Sequence, residues 1–523
     1  MDRELMDKEV LGILDTRQIQ RFMFRSNSMV DTLGGSDLMD HILDDAIAHA
    51  LRSVDPPLRE GEYDLNPDPD APIPYFEDGR VLFQQIFCTA GNAMFICRTG
   101  YLAQKLIRKV SRYYLDHGYS LNLAAAAVEK TEDFGRDIFE MYKKLNAVKM
   151  AAVISDPLGT LPVVIREKRT GEPAVARDPQ TGEPISRSSQ LRRQEAARRK
   201  EIIPFEALKG SAGPGGKRYR AVLHVDGNNI GITIGRLLQR TPDYLEGIRT
   251  RRRVNRHLAR EYGQLVRNTL ADLATYFRER NGREEDIAHH FQIIHNSGDD
   301  INCMCDADLA FPFLELFFRN LKGACIIRTE ERQVPLYCCG GICFVTDGNP
   351  FHSAFRVAAE CCDNAKAAAK RECNLRDGLA GNWLDFQICD RRNFQDIDLF
   401  RERDCVTDSG IDLLARPYCL DEAAKDQEFA FDALRRRVSA LRRLSETHGA
   451  EWPGRIRQGC QVDRSFFMAE LYRLKESGTD LEALLGKPYW RDGDGRVHAL
   501  WYDAVELLPF LPEERPRPAR REE

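Results

Sequence analysis

The chain has 523 residues, 43% hydrophobic and 30% charged, with a formal net charge of −5. That length exceeds what one hydrophobic core supports, so two or three domains are expected, and the composition excludes fibrous and wholly disordered classes. The charge gives no global drive toward nucleic acid, no apolar run reaches the length of a bilayer span, and Met1-Asp-Arg-Glu-Leu5 is no signal peptide, so a cytoplasmic protein without membrane contact is expected.

In chain order, residues 9–15 read as a strand ending at Asp15. Ser36 is placed as the N-cap of a helix over Asp37–Leu51, and a proline-rich loop covers Pro56–Pro74. Val81–Cys88 and Ala93–Cys97 read as strands around Thr89-Ala90-Gly91-Asn92. Tyr101–His117 is helical, Ser120–Val128 a strand, and Thr131–Met150 a helix with Phe134, Ile138, Met141, Tyr142 and Leu145 on one face. Arg166–Lys217 is rich in Arg, Pro, Gly, Ser and Glu and reads as a mobile linker or exposed insertion. An RNA contact is the secondary reading of its basic run.

Ala221-Val-Leu-His-Val-Asp226-Gly-Asn-Asn-Ile-Gly231 reads as an apolar, β-branched strand that stops at Asp226. A long helix is expected from Pro242 to Asn281. Phe291–Cys305 then reads as a hairpin turning at Ser297-Gly298-Asp299-Asp300, where Gly298 supplies backbone freedom and the turn projects Asp299 and Asp300 at its tip. A helix over 308–322, a strand over Leu336–Val345, a helix over Phe351–Glu372 and a strand over Asn382–Cys389 follow. Helical patterns at Asp421–Thr447, Arg464–Ser477 and Tyr502–Leu508 form a small C-terminal domain, and 511–523 reads as a disordered tail.

The order strand, helix, hairpin, helix, strand, helix occurs twice, which points to an internal duplication of the split βαβ unit. The expected fold class is α+β: two ferredoxin-like (βαββαβ) domains in tandem over 1–165 and 218–395, joined by 166–217 and followed by a helical domain over 396–510. The first copy has Asp15 but Ala90-Gly91-Asn92-Ala93 at its hairpin, so it is expected to be a structural or nucleotide-contacting partner without catalytic power. In the second, Asp226, Asp299 and Asp300 converge, and three carboxylates at one point repel unless a cation lies between them. Mg²⁺ or Mn²⁺ answers that need, and a pair of such ions on strand-end carboxylates suits in-line phosphoryl or nucleotidyl transfer. The competing reading is a pair of ordinary polar turns. The fifteen cysteines lie in apolar patterns without paired Cys-x-x-Cys knuckles and are expected to be buried reduced thiols.

Asp226-Gly-Asn-Asn-Ile-Gly231, Ser297-Gly-Asp-Asp300, Cys339-Gly-Gly-Ile-Cys343 and Ala365-Lys366-Ala-Ala-Ala-Lys370 together resemble the palm domain of the large polymerase/cyclase subunit of type III CRISPR complexes. Leu14-Asp-Thr-Arg-Gln-Ile-Gln-Arg-Phe-Met-Phe24 and Leu33-Gly-Gly-Ser36 resemble that family's first palm, so the likeness spans about residues 8–390. More distantly the second palm is similar to GGDEF diguanylate cyclases and class III nucleotide cyclases. The resemblance implies metal-dependent joining of ATP or other nucleoside triphosphates into cyclic oligonucleotides or a cyclic dinucleotide. It implies Asp226, Asp299 and Asp300 as catalytic metal ligands assisted by the carbonyl of Gly227, with Asn228, Asn229, Ser297, Gly298, Lys366 and Lys370 contacting the nucleotide. The partners it implies are RNA or CRISPR complex subunits, a cyclic-nucleotide-gated effector, and a second copy of the chain. Asn228 stands where the family has a second Asp, and Ser297 where it has a Gly. No His-Asp pair precedes the first palm and no zinc module lies between the palms, so a stand-alone defence-type synthase or a diverged relative is expected. The alternative is a palm scaffold that binds nucleotide or RNA without turnover.

Overall fold

The structure, a computed structural model, describes residues 3–513 except 27, 90, 152–162, 180, 200–201, 282–286, 329–332, 376–380, 391–395, 422–426, 463, 477 and 494. Ala90 and the tail beyond 513, both read above, lie outside these. The chain divides into two compact units: 1–204, 229–262 and 325–335 form one, and 205–228, 263–324 and 336–523 the other. These boundaries cut across the linear domains read from the sequence.

The first unit holds β1 (Val10–Arg17), α1 (Met29–Ser53), β2 (Phe83–Thr89), β3 (Asn92–Cys97), α2 (Gly100–His117), β4 (Asn122–Glu129) and α3 (Phe134–Ala151). Its sheet runs β2-β3-β1-β4, with the two-residue strand Tyr63–Asp64 at the β2 edge. The β1–β3, β1–β4 and β2–β3 pairings are all antiparallel, the ferredoxin-like arrangement. α1 begins eight residues earlier than expected, because Ser28 accepts from the Asp31 N–H and Ser26 Oγ donates to the Asp31 carboxylate at 2.7 Å. Ser36 is buried inside that helix instead.

The expected linker is folded over much of its length. A hairpin of β5 (Ala174–Arg177) and β6 (Pro184–Ser186) leads into α4 (Arg187–Ala196), capped by Ser186 accepting from the Ser189 N–H. Arg192 is fully buried and donates from Nη1 to the Phe22 carbonyl at 3.1 Å. A Cβ on Gly34 of α1 would lie 1.8 Å from the Arg192 carbonyl oxygen, so this glycine lets the two helices touch through their backbones. The basic composition concealed a buried helix face.

The second palm holds β7 (Arg218–Gly227), α5 (Ile230–Gln239), α6 (Tyr244–Asn281), β8 (Phe291–Ser297), β9 (Asp300–Asp306), α7 (Ala310–Leu321), β10 (Cys338–Thr346), α8 (Phe351–Leu375) and β11 (Trp383–Cys389). α5 was not expected; Gly231 and Gly235 hid it, and the long helix begins only at Tyr244. α5 and the first part of α6 belong to the first unit. The sheet order is β8-β9-β7-β10-β11, extended by Tyr418–Cys419, with β10 and β11 parallel.

The C-terminal region carries α9 (Phe431–His448), α10 (Trp452–Gln461), α11 (Arg464–Glu476) and α12 (Tyr502–Leu507). It is not purely helical, since Ile411–Asp412, Val497–Ala499 and Tyr489–Arg491 form a small sheet. It also shares the second unit: the buried Asp503 carboxylate accepts from the backbone N–H groups of Ala415 and Arg416 and from the Tyr418 hydroxyl. No disulfide occurs among the cysteines whose side chains are described, and of these all but Cys88 are buried. No helix among the described residues is long and apolar enough to cross a membrane.

Candidate nucleotide and metal site

β7 stops at Gly227, and its penultimate residue, Asp226, stands directly opposite Asp300 on β9. Ser297 pairs with Asp300, so Gly298 and Asp299 form the two-residue turn, and Gly298 adopts φ +64° as such a turn requires. Directly opposed residues share a face of the sheet, as do residues two apart on one strand. Asp226 and His224 on β7 therefore face the same way as Asp300 and Asn302 on β9. α8 crosses this face closely: a Cβ on Gly341, opposite His224, would lie 1.9 Å from the Ala358 carbonyl oxygen. The Gly-Gly-Ile segment is thus a place where helix backbone meets strand backbone.

The three carboxylates are held differently. Lys366 Nζ, on α8, donates to Asp226 Oδ2. Burial opposes the Lys366 charge, yet the Asp226 carboxylate holds its ammonium above the ordinary value. Asn302 Nδ2 donates to Asp300 Oδ1 at 2.8 Å, and His224 Nδ1 lies 3.2 Å from the same oxygen and donates to Asn302 Oδ1 at 2.8 Å. Burial disfavours the Asp300 charge, but the His224 hydrogen bond and charge outweigh it and hold the carboxyl below its usual range. Burial in turn disfavours the His224 charge, yet its hydrogen bond to Asp300 raises it. Asp299 is pushed up to about 7 by burial and by the negative charges of Asp226 and Asp300. A cation among the three carboxylates would relieve the same repulsion.

Among the described residues no group of three or more His, Cys, Asp or Glu is arranged to hold a metal ion. One Asp226 oxygen is engaged by Lys366 and one Asp300 oxygen by Asn302 and His224. Two opposed carboxylates and a third whose ionisation burial and like charge disfavour nonetheless form an oxygen-rich donor set that suits a hard divalent cation.

The remaining sequence-derived residues divide. Gly227 is buried opposite Cys338. Asn228 is 3% exposed; its N–H donates to the Tyr337 carbonyl, and neither end of its side-chain amide has a hydrogen-bond partner among the described residues. Asn229 adopts φ +59° at the start of α5 and falls in the first unit. Gly298 and Lys370 are exposed, and the Ser297 side chain lies outside the described residues. His224 and Asn302 were missed. The available signal was a polar residue two positions from each strand-end carboxylate, inside otherwise apolar strands.

The first palm repeats half of this geometry. Asp15 stands opposite Asn92, and Gly91 in the turn has φ +77°. Lys149 Nζ lies 2.7 Å from Asp15 Oδ2, at the same place counted from the start of α3 as Lys366 from the start of α8. The first palm keeps the lysine–aspartate pair and lacks the described hairpin carboxylates.

No family model matches this sequence, and no curated protein matches it. Solved structures do share the fold. A Csm1-Csm4 cassette in complex with pppApA aligns with TM-score 0.56 at 14% identity over 96% of this chain and 69% of that one. The cassette in complex with cA4 aligns with TM-score 0.54 at 15% identity, again over 96% and 69%. A third, with pppApApA, gives TM-score 0.56 at 14% identity over the same shares. The tandem-palm fold implied by the sequence resemblance is therefore the fold this chain has in common with Csm1-Csm4 structures.

Proposed function

We propose that the chain is a metal-dependent nucleotidyltransferase or cyclase that joins ATP or other nucleoside triphosphates into cyclic oligonucleotide signals, serving antiviral defence alone or within a CRISPR-type complex. The observation that carries this reading is the Asp226–Asp300 opposition with Asp299 at the adjoining turn. The fold neighbours in complex with pppApA and with cA4 support the substrate class.

The residues divide the work as follows. Asp226, Asp299 and Asp300, with the Gly227 carbonyl, would hold Mg²⁺ or Mn²⁺, which supplies neutralisation of the attacking and leaving oxygens. Lys366 exchanges Asp226 for the triphosphate, and Lys370, one helical turn on, adds charge toward the same tail. Asn228, Ser297 and Gly298 would border the nucleotide. The reaction is attack of a ribose 3′-hydroxyl on an α-phosphorus: one phosphodiester forms, one phosphoanhydride breaks, and pyrophosphate leaves.

A second reading is supported by Asn228 in place of an acid and by the Lys366–Asp226 pair: a palm scaffold that binds nucleotide or RNA without turnover. Incubating the chain with each nucleoside triphosphate and Mg²⁺ or Mn²⁺ separates them. Pyrophosphate and new oligonucleotides are expected, falling at least ~100-fold in Asp299→Ala/Asp300→Ala protein. Binding without pyrophosphate release would establish the scaffold instead, and undiminished product from the double variant would remove the site assignment.

A further inference from the structure

We propose that His224 and Asn302 are positioning residues that fix the Asp300 carboxylate in orientation before any cation arrives, making Asp300 the rigid ligand of the acidic trio; this rests on the metal-centred reading above. Asn302 Nδ2 reaches Asp300 Oδ1 at 2.8 Å and His224 Nδ1 stands 3.2 Å from the same atom, while a 2.8 Å hydrogen bond from His224 Nδ1 to Asn302 Oδ1 closes the triangle. Two polar groups fastened to each other and to one oxygen leave that carboxylate little freedom to rotate. His224 is 4% exposed and Asn302 fully buried, and the His224 ring meets the Phe355 ring of α8 edge-on at 5.7 Å, so neither side chain can drift toward solvent.

The duplicated fold supplies an internal control. At the same register in the first palm, Ile13 stands opposite Met94 and Met94 opposite Phe87. In the second palm the corresponding row is His224, Asn302 and His295. Ile13, Met94 and Phe87 are all buried, so a ferredoxin-like sheet closes over this row with apolar side chains alone. Buried polar side chains are costly unless fully hydrogen-bonded, and packing does not require them here. The polar row occurs in the palm whose hairpin ends in Asp300 and is absent from the palm where Asn92 takes that place. Outer partners that orient a metal ligand behave in this way.

The test transplants the first palm's pair: His224→Ile/Asn302→Met in the full chain, with Mn²⁺ binding followed by electron paramagnetic resonance and folding by thermal unfolding. The Mn²⁺ dissociation constant is expected to rise about 10- to 100-fold, with the metal-free unfolding midpoint unchanged or raised. His224→Gln, which keeps a donor, is expected to retain most of the affinity. Should the double variant not fold, Asn302→Met alone reads the same quantity. Wild-type Mn²⁺ affinity in a folded variant lacking Asn302 overturns the inference, as does a loss in His224→Gln equal to that of the double variant. If the wild-type chain binds no Mn²⁺ that Asp226→Ala removes, the metal-centred reading itself has failed and the inference falls with it.

Discussion

Asp299 shares its turn with one carboxylate and faces another, and the cost of that crowding is measurable without any assay of turnover. Its acid constant in the fold, about 7, lies above the ordinary carboxyl value because burial and the charges of Asp226 and Asp300 disfavour ionisation. The folded chain thus binds more protons than the unfolded chain between the two values, so this group's contribution to stability falls as pH rises through that window, and the penalty is complete above about 7. Asp299→Asn is expected to raise the metal-free unfolding midpoint at pH 8 by about 3–6 °C, corresponding to ~1–2 kcal/mol after solvent screening, and to leave it unchanged near pH 4. Mg²⁺ should raise the wild-type midpoint at pH 8 and the variant's far less; equal shifts in both would separate Asp299 from the metal. These acids were legible because strand-end and turn chemistry is local. His224 and Asn302 were not, since their meaning depends on a register joining positions 78 residues apart.

At the scale of elements, the strands and most helices followed from apolar periodicity, and the errors came where glycine or charge carried a packing role. Leu33-Gly34-Gly35-Ser36 reads locally as a break followed by a cap. In the fold it is helix interior, because Gly34 admits the backbone of α4. The segment around α4 reads as solvated because eight of its ten residues are polar or charged, yet Leu191, Arg192 and Ala196 are buried. Gly34→Ala tests this directly. The added methyl would fall 1.8 Å from a backbone oxygen that no side-chain rotation can move, so a loss of ~2 kcal/mol or more is expected, well beyond the small gain alanine brings to an exposed helix. Limited proteolysis should then cut the 166–199 segment faster than in the wild type. Unchanged stability and cleavage would mean that α4 does not rest on α1.

At the scale of the whole molecule, the two copies of one unit separate what both palms share from what the proposed site adds in the second. Both retain the strand-end aspartate and the lysine that meets it from the last helix. A pair kept in both copies is explained by architecture, since it neutralises a carboxylate at a strand terminus whether or not a cation follows. Asp300 in the second copy, where the first has Asn92, is the difference that the proposed metal site requires. The repeat was visible in the order of elements, but this division of labour was not, because it appears only when both registers are laid side by side. Asp15→Ala and Asp226→Ala should accordingly behave differently. The Lys149 and Asp15 side chains are 33% and 14% exposed, so Asp15→Ala is expected to cost only about 1 kcal/mol, or roughly 3 °C in the unfolding midpoint, with Mn²⁺ capacity per chain unchanged. Asp226→Ala is expected to abolish that capacity, because Asp299 and Asp300 then lack the ligand on the neighbouring strand. Equal losses of Mn²⁺ from the two variants would mean that the first copy also holds metal, and the contrast between the hairpins would no longer separate a structural palm from a chemical one.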